Sequence, residues 1–428
     1  MRLLYQLAVA TIRVLSPLFA HGEGKLARGM AGRRHAHEAL AAWGSTLRDA
    51  SRPTVWFHAP SVGEGLQARA VKNALVNRRS DIQVVFTHFS PSAESLAAEF
   101  GADTTAYLPW DLRGPVAHTL DGVQPDLLVF TKTEVWPVLV AEAKRRGIPV
   151  AIVGATVPEG AGRTRLPARL LLGETWRTLD AACVISDTDA EALVNLGVSA
   201  EAVRVTGDPG IDSAAQRLAD GDPDAPYLRP FRADPRPTVV AGSTWPSDDA
   251  VLLPALRRLR DEIEHLRVVL APHEPKPDVV AGLLTTLEDD GWSAVTLADA
   301  EGPASGWNAV VVERVGVLAH LYRVACASSG GVCFQRWVIH SVLEPAAASS
   351  PVVFGPRHQN TRAADDLIRA GGAKLAANNP ELADSFARWL RDPRERDDTG
   401  RRARQYIEGH LGAADRTAQQ LEHLLSPR

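Results

Sequence analysis

Short apolar runs, unbroken rather than alternating, recur between helix-like stretches twice along this chain, and no other feature restricts its fold as strongly. From Arg52 the runs are TVWFHA, IQVVFTH, TTAYLPW, DLLVFTK, PVAIVGAT, AACVISD and AVRVTGD. A strand that is apolar on both faces needs cover on both, which is the pattern of a parallel sheet between helices. The rhythm stops at DGDPDAPYLRPFRADPRP, Asp220 to Pro237, whose prolines and charges suit neither helix nor strand. It then restarts with TVVAGS, RVVLAPHE, AVVVER, ACASSGG, PVVFGP and AKLAA. The expected fold class is therefore α/β, with two Rossmann-like domains facing across a central cleft.

A length of 428 residues agrees with this division, since roughly 150 residues make a domain. The expected boundaries are an N-terminal helix region over 1–45, a first Rossmann-like domain over 46–219 and a linker over 220–237. A second domain follows over 238–400, and a C-terminal helix over 401–428 is expected to cross back to the first domain. Hydrophobic residues at 45% and charged residues at 23% are ordinary for a folded chain. A net charge of −4 provides no field that would favour nucleic acid. Cys183, Cys326 and Cys333 have no metal-type spacing and cannot all pair, which points to a reducing compartment and away from zinc. His58, His88, His340 and His358 likewise show no ligand spacing.

The N-terminal stretch LLYQLAVATIRVLSPLFA, Leu3 to Ala20, is largely apolar but interrupted by Arg13 and Pro17. A span needs roughly 20 apolar residues, and a central arginine costs about 3 kcal/mol. LFAHGEG is a poor cleavage site for a signal peptide. Arg2, Lys25, Arg28, Arg33 and Arg34 are charges that attract anionic headgroups. The preferred reading is a helix resting on the cytoplasmic leaflet. A helix docked on its own protein, or a true span, are the alternatives.

Ligand sites of open α/β sheets lie outside the carboxyl ends of the strands. Two carboxylates follow apolar runs in the first half. Glu64, in HAPSVGEGLQ, stands where a helix begins: it can cap that helix, or serve as a base for a hydroxyl. Glu134, in TKTEVWP, repeats the arrangement, with Pro137 suited to an early helical position. In the second half, Ser243 in STWPSDD reads as a cap or a ligand contact, and His273 in LAPHEPKP as a phosphate contact or a surface residue. SSGGV, Ser328 to Val332, brings backbone close to a phosphate but lacks a full phosphate-loop spacing. Ser341 and Glu344 form either a capping box or a ribose and phosphate contact at a helix start.

In order, HAPSVGE, YLPWD, TEVWP, GSTW, LEPAA and VVFGPRHQN resemble the 3-deoxy-D-manno-octulosonic acid (Kdo) transferases of lipopolysaccharide synthesis, and the likeness runs from Leu3 to near Asn360. The resemblance implies a GT-B glycosyltransferase with an N-terminal membrane-associated helix. It implies inverting, metal-independent transfer of an acid sugar from a CMP-linked donor to a lipid A precursor, lipid IVA, at the cytoplasmic face of the inner membrane, with no cofactor. Glu64 would be the catalytic base and Glu134 would stabilise the transition state. CMP contacts would fall on Ser243, Pro272, His273, Val315, Gly316, Val317, Ser341, Val342, Leu343 and Glu344.

The chain departs from the family on the donor side. His273 stands in place of an arginine and Gly210 in place of a lysine, and a Gly-Gly-His-Asn motif has become Val338, Ile339, His340, Ser341. Histidine lacks arginine's fixed charge and fork, so donor binding is expected to be weaker or shifted to another nucleotide sugar. A two-domain sugar-binding protein and a catalytically silent relative are the alternatives.

Overall fold

The computed structural model describes residues 2–20, 22, 24–158, 162, 165–166, 168–302, 305–330, 342–358 and 361–425. The chain divides into two compact units, Met1–Ser213 with Gly412–Arg428, and Ala214–Leu411.

In the first unit β1 (Thr54–Ala59), β2 (Gln83–His88), β3 (Thr104–Tyr107), β4 (Leu127–Thr131), β5 (Val150–Ala155), β6 (Ala181–Val184) and β7 (Val203–Val205) form one parallel sheet. Its order is β3-β2-β1-β4-β5-β6-β7. The strand order reverses between β1 and β4, which makes their carboxyl ends the switch point of the sheet. Successive residues feed different cores. Trp56, Leu128, Phe130 and Ile152 pack on one side, and Val55, Phe57, Val129 and Val153 on the other. That two-sided burial is why the runs are continuously apolar.

Three helices precede β1: α1 (Arg2–Phe19), α2 (Lys25–Arg34) and α3 (Ala36–Thr46). Residues 1–45 are expected to stand apart from the first domain, but Leu40 and Trp43 of α3 lie in that domain's core. A Cβ on Gly44 of α3 would come within 2.1 Å of the Gly122 carbonyl oxygen, so only glycine allows this close approach of α3 to the helix Arg113–Val123. Only α1 remains mostly uncovered: Leu3, Leu4, Leu7, Val14, Leu18 and Phe19 are exposed. It is tied to the unit where Tyr5 Oη donates to Asp111 Oδ2 at 2.9 Å. Among the described residues no helix is long and apolar enough to cross a membrane.

The second unit holds β8 (Thr238–Thr244), β9 (Arg267–Pro272), β10 (Ala294–Thr296), β11 (Ala309–Val311), β12 (Ala327–Gly330), β13 (Val352–Phe354) and β14 (Ala373–Leu375). They form a parallel sheet in the order β10-β11-β9-β8-β12-β13-β14, with the switch between β8 and β12. Here too alternate residues serve two cores, Val239 and Val268 one side, Val240 and Val269 the other.

The linker expected over 220–237 is instead part of the second unit. It carries a 3₁₀ turn, Pro226–Leu228, and a short helix, Arg229–Ala233, whose Leu228 and Phe231 are buried. Pro226 and Pro230 stand in the first turn of these helices, where the missing N–H costs nothing, so the prolines start structure rather than interrupt it. The units divide at Ser213, inside the helix Pro209–Asp220. At the other end the helix Pro393–Gly409 belongs to the second unit, and the return to the first begins at Gly412. The last helix, Ala413–Leu424, packs Ala414, Ala418 and Leu421 into the core that also contains Val71 and Leu75. Asp212 accepts from the Gly412 and Ala414 amides at 2.7 and 2.9 Å, satisfying N–H groups that a helix start leaves unpaired.

Candidate active site

After β1 the chain passes Pro60 and Ser61 into helix α4 (Val62–Arg78), which places Glu64 in that helix's first turn. The Ser61 hydroxyl does not accept from the helix amides as a side-chain cap; it donates to the Glu64 carboxylate. Glu64 is half-buried, and beside it Gly65 is buried, since a Cβ there would meet Leu96 at 2.3 Å. The carboxylate thus stands at the switch point on a fixed helix start, oriented by a hydroxyl.

Glu134 follows β4, the other strand of the switch point, and is half-buried as well. The next helix, Pro137–Arg145, takes its cap from elsewhere: the Val138 and Leu139 amides donate to Asp111 at 3.0 and 2.8 Å. Capping of this helix therefore does not account for Glu134. Asp111 is 2% exposed, and burial pushes its carboxyl up to about 6.

Around Glu134 the structure assembles groups that the sequence reading did not single out. Arg33, grouped there with surface cations, is buried in α2, its guanidinium carbon 3.2 Å from the Phe89 ring centroid. A cation over an aromatic face recovers part of what it loses in water, although burial still holds the Arg33 pKa down at about 10. Phe89 stacks in turn on Trp136 at 5.3 Å. Arg33 and Tyr5 both lie within electrostatic reach of Glu134. His58, at the end of β1, is fully buried with Nδ1 3.0 Å from the Thr87 carbonyl, and desolvation pulls its pKa down to about 3. It is a neutral ring near pH 7, suited to packing and hydrogen bonding rather than to carrying charge. Asp111 closes YLPWD and lies just ahead of a helix start, which is a readable acid-before-helix signal. Nothing in AGRRHAH separates Arg33 from Arg34.

In the second unit the residues expected to meet a donor sit at the carboxyl ends of adjacent strands. Ser243 has φ +54° where β8 ends, and Thr244 pairs with Pro272 of β9. The Trp245 and His273 rings stack at 4.5 Å, and the His273 amide donates to the Thr244 carbonyl at 2.9 Å. Val315, Gly316 and Val317 follow β11, the neighbour of β9: Val315 is exposed, Gly316 has φ +90° and Val317 is buried. Ser247 Oγ and Ser329 Oγ, beyond β8 and within β12, are buried without a hydrogen-bond partner among the described residues. Buried hydroxyls left in this state are the kind of groups a polar ligand satisfies. Burial also pushes Asp249 up to about 6.

Val342 and Leu343 begin the short helix Leu343–Ala347, with Val342 buried. Glu344, expected either to close a capping box with Ser341 or to meet a ribose, is ion-paired with Arg217. That partner was not foreseen, because the two are 127 positions apart. Ser341 and His340 lie outside the described residues. Gly210, at the family's lysine position, lies in the helix Pro209–Asp220, its amide donating to Asp208 at 2.7 Å. Among the described residues no group of three or more His, Cys, Asp or Glu side chains is arranged to hold a metal ion.

The family model for 3-deoxy-D-manno-octulosonic-acid transferase matches residues 34–213. A 3-deoxy-D-manno-octulosonic acid transferase of Bordetella pertussis is 28% identical over 387 residues, covering 87% of each chain. One from Rickettsia felis is 25% identical over 335 residues, covering 78% of this chain and 70% of its own. Among solved structures, a UDP-N-acetylglucosamine 2-epimerase superposes with a TM-score of 0.61 at 16% identity, over 87% of this chain and 95% of its own. That likeness concerns the fold alone, two parallel α/β units of a GT-B-like kind. The ordered motifs, the family match over residues 34–213 and relatives at 25–28% identity along most of the chain support a glycosyltransferase similar to the Kdo transferases.

Proposed function

We propose that the protein transfers Kdo, or a related acid sugar, from a CMP-linked donor to a hydroxyl of a lipid A precursor of the lipid IVA type. In this reading the reaction inverts the anomeric centre, needs no metal ion or other cofactor, and takes place at the cytoplasmic face of the inner membrane. The observation that carries it is the pair Glu64 and Glu134 at one switch point, Glu64 held by the Ser61 hydroxyl and Glu134 ahead of a helix that Asp111 caps instead. The acceptor oxygen attacks the anomeric carbon as the bond to the CMP phosphate breaks, and CMP leaves with the electron pair. Glu64 takes the hydroxyl proton, and Ser61 holds its carboxylate in place. Glu134 stabilises the charge that develops on the sugar, with Arg33 and Tyr5 shaping the field around it. The second unit holds CMP through the residues that follow β8, β9, β11 and β12, with the unpartnered Ser247 and Ser329 hydroxyls supporting a polar ligand there. The test is incubation of the purified protein with CMP-Kdo and lipid IVA, with and without EDTA. Product in both reactions supports the reading; product only from another nucleotide sugar replaces the donor.

His273 provides a sharper probe of that donor. A histidine stacked on Trp245 offers phosphate neither a permanent charge nor a bidentate fork. His273→Arg is expected to lower the KM for the CMP donor by about tenfold, the equivalent of one charge-assisted hydrogen bond. An unchanged KM in steady-state kinetics removes residue 273 from the phosphate contacts.

The exposed apolar side chains of α1 and the neighbouring exposed Lys25, Arg28 and Arg34 support attachment to an anionic leaflet. Burying one leucine in lipid contributes about 2 kcal/mol. The double variant Leu7→Glu, Leu18→Glu is therefore expected to lose at least ~100-fold in binding to vesicles containing phosphatidylglycerol. Co-sedimentation checks this, and equal binding by the variant assigns attachment to another surface.

A further inference from the structure

At the amino edge of the second unit's sheet, opposite the strand ends that carry Ser243 and His273, lies a cavity of about 560 Å³. Four arginines line it, Arg232, Arg236, Arg267 and Arg396, together with Leu390 and the half-buried Cys326. The charges are incompletely matched. Arg232 pairs with Asp224 at 2.8 Å and Arg396 with Asp397 at 2.9 Å, both at the surface. Asp234 pairs with Arg236 at 2.7 Å.

Arg267 is different: it is 1% exposed and forms no ion pair among the described residues. Its guanidinium donates to Thr238 Oγ1 and the Asp234 carbonyl at 3.1 Å and to the Phe231 carbonyl at 3.4 Å, all uncharged acceptors. It also stacks on Phe231 and Trp307 at 4.7 and 5.5 Å. Arg236 adds a second guanidinium close by: its Nη2 donates to the Trp307 carbonyl at 3.1 Å and meets Asp234, while its Nε is buried without a partner among the described residues. One carboxylate, Asp234, thus serves two guanidiniums, paired with Arg236 and acting on Arg267 only through space. A buried cation with so little counter-charge is costly, and an entering anion lowers that cost. Burial and then Arg236 hold the Arg267 pKa down at about 10, against a smaller upward pull from Asp234.

We propose that this cavity is a binding site for a small organic phosphate, separate from the donor-side residues. Its phosphate meets the guanidiniums of Arg236, Arg267 and Arg396, whose planar forks suit a phosphate's several oxygens better than they suit one carboxylate. Its apolar body lies against Leu390 and Phe231.

Cys326 provides a local readout, because it lines the cavity while Cys183 is buried. In a Cys333→Ser background, the rate of Cys326 alkylation by the neutral reagent N-ethylmaleimide is measured with phenyl phosphate as the probe. Phenyl phosphate at ~10 mM is expected to slow the reaction about tenfold, for a Kd near 1 mM, and added salt to weaken the protection. Phenol, with the same ring and no charge, is expected to leave the rate unchanged. Arg236→Gln abolishes the protection, and Arg396→Gln, at a partly exposed position, lowers it several-fold while circular dichroism stays that of the parent. Three results overturn the proposal: no protection of the folded protein by phenyl phosphate, equal protection by phenol, or protection that persists in both arginine variants.

Discussion

Glu64→Gln is expected to lower kcat by 10² to 10⁴, approximately the share a positioned general base contributes. The amide keeps the size of the side chain and can still accept from the Ser61 hydroxyl. Binding of donor and acceptor, measured by calorimetry, is expected to stay within about twofold, because an interaction made only in the transition state leaves ground-state affinity alone. Loss of affinity equal to the loss of rate assigns Glu64 to acceptor binding. Unchanged turnover removes it from the chemistry. Ser61→Ala provides the graded case: the carboxylate remains but loses the hydroxyl that orients it, and kcat is expected to fall by about tenfold.

The second large effect is on stability and comes from Asp111. Three donors converge on this buried carboxylate: the Val138 and Leu139 amides and the Tyr5 hydroxyl. Asp111→Ala leaves them without an acceptor, at about 1–3 kcal/mol for each buried group, so a total loss of ~3–5 kcal/mol is expected after partial relaxation. Because Tyr5 is on α1, the same substitution loosens that helix, and hydrogen exchange is expected to rise in Arg2–Phe19.

Asp111→Asn separates shape from charge. Burial raises the folded-state pKa to about 6 from 3.8, so the folded chain holds this proton more tightly than the unfolded chain. The stabilisation from this proton is full below the unfolded pKa and is lost as pH rises through about 6. Asparagine does not titrate. Relative to Asp111→Asn, the parent is therefore expected to lose about 2–3 kcal/mol of stability between pH 4 and pH 7, readable from urea midpoints at the two ends. A difference that does not change with pH places the titration on another group.

The strands were legible because the physics that makes them is visible in every residue: Val55, Trp56 and Phe57 are all buried, and an unbroken apolar run is the trace of cover on both faces. The positions of Glu64 and Glu134 were legible for the same reason, as acids directly after such runs. Their roles were not, since a cap and a base use the same residue type at the same place; the Asp111 contacts that make capping an insufficient account of Glu134 cross 27 and 28 positions. The unit boundary was hidden because it falls inside one continuous helix, Pro209–Asp220, with no change in composition. The stretch 220–237 reads as a linker because of its prolines, but proline marks a break only in the interior of an element, and Pro226 and Pro230 stand at helix starts. Arg33 could not be told from its neighbours: what buries it is the Phe89 ring, 56 positions away. Arg217 was invisible as the partner of Glu344 for the same reason of distance along the chain.

The most direct measurement is mass spectrometry of lipid IVA after incubation with CMP-Kdo and the purified full-length protein, beside the Glu64→Gln variant at equal concentration. The account expects the acceptor to gain the mass of Kdo with the parent protein and to stay unchanged with the variant over the same interval. Acceptor that stays unmodified with a folded parent protein, or that is modified equally by both, contradicts it.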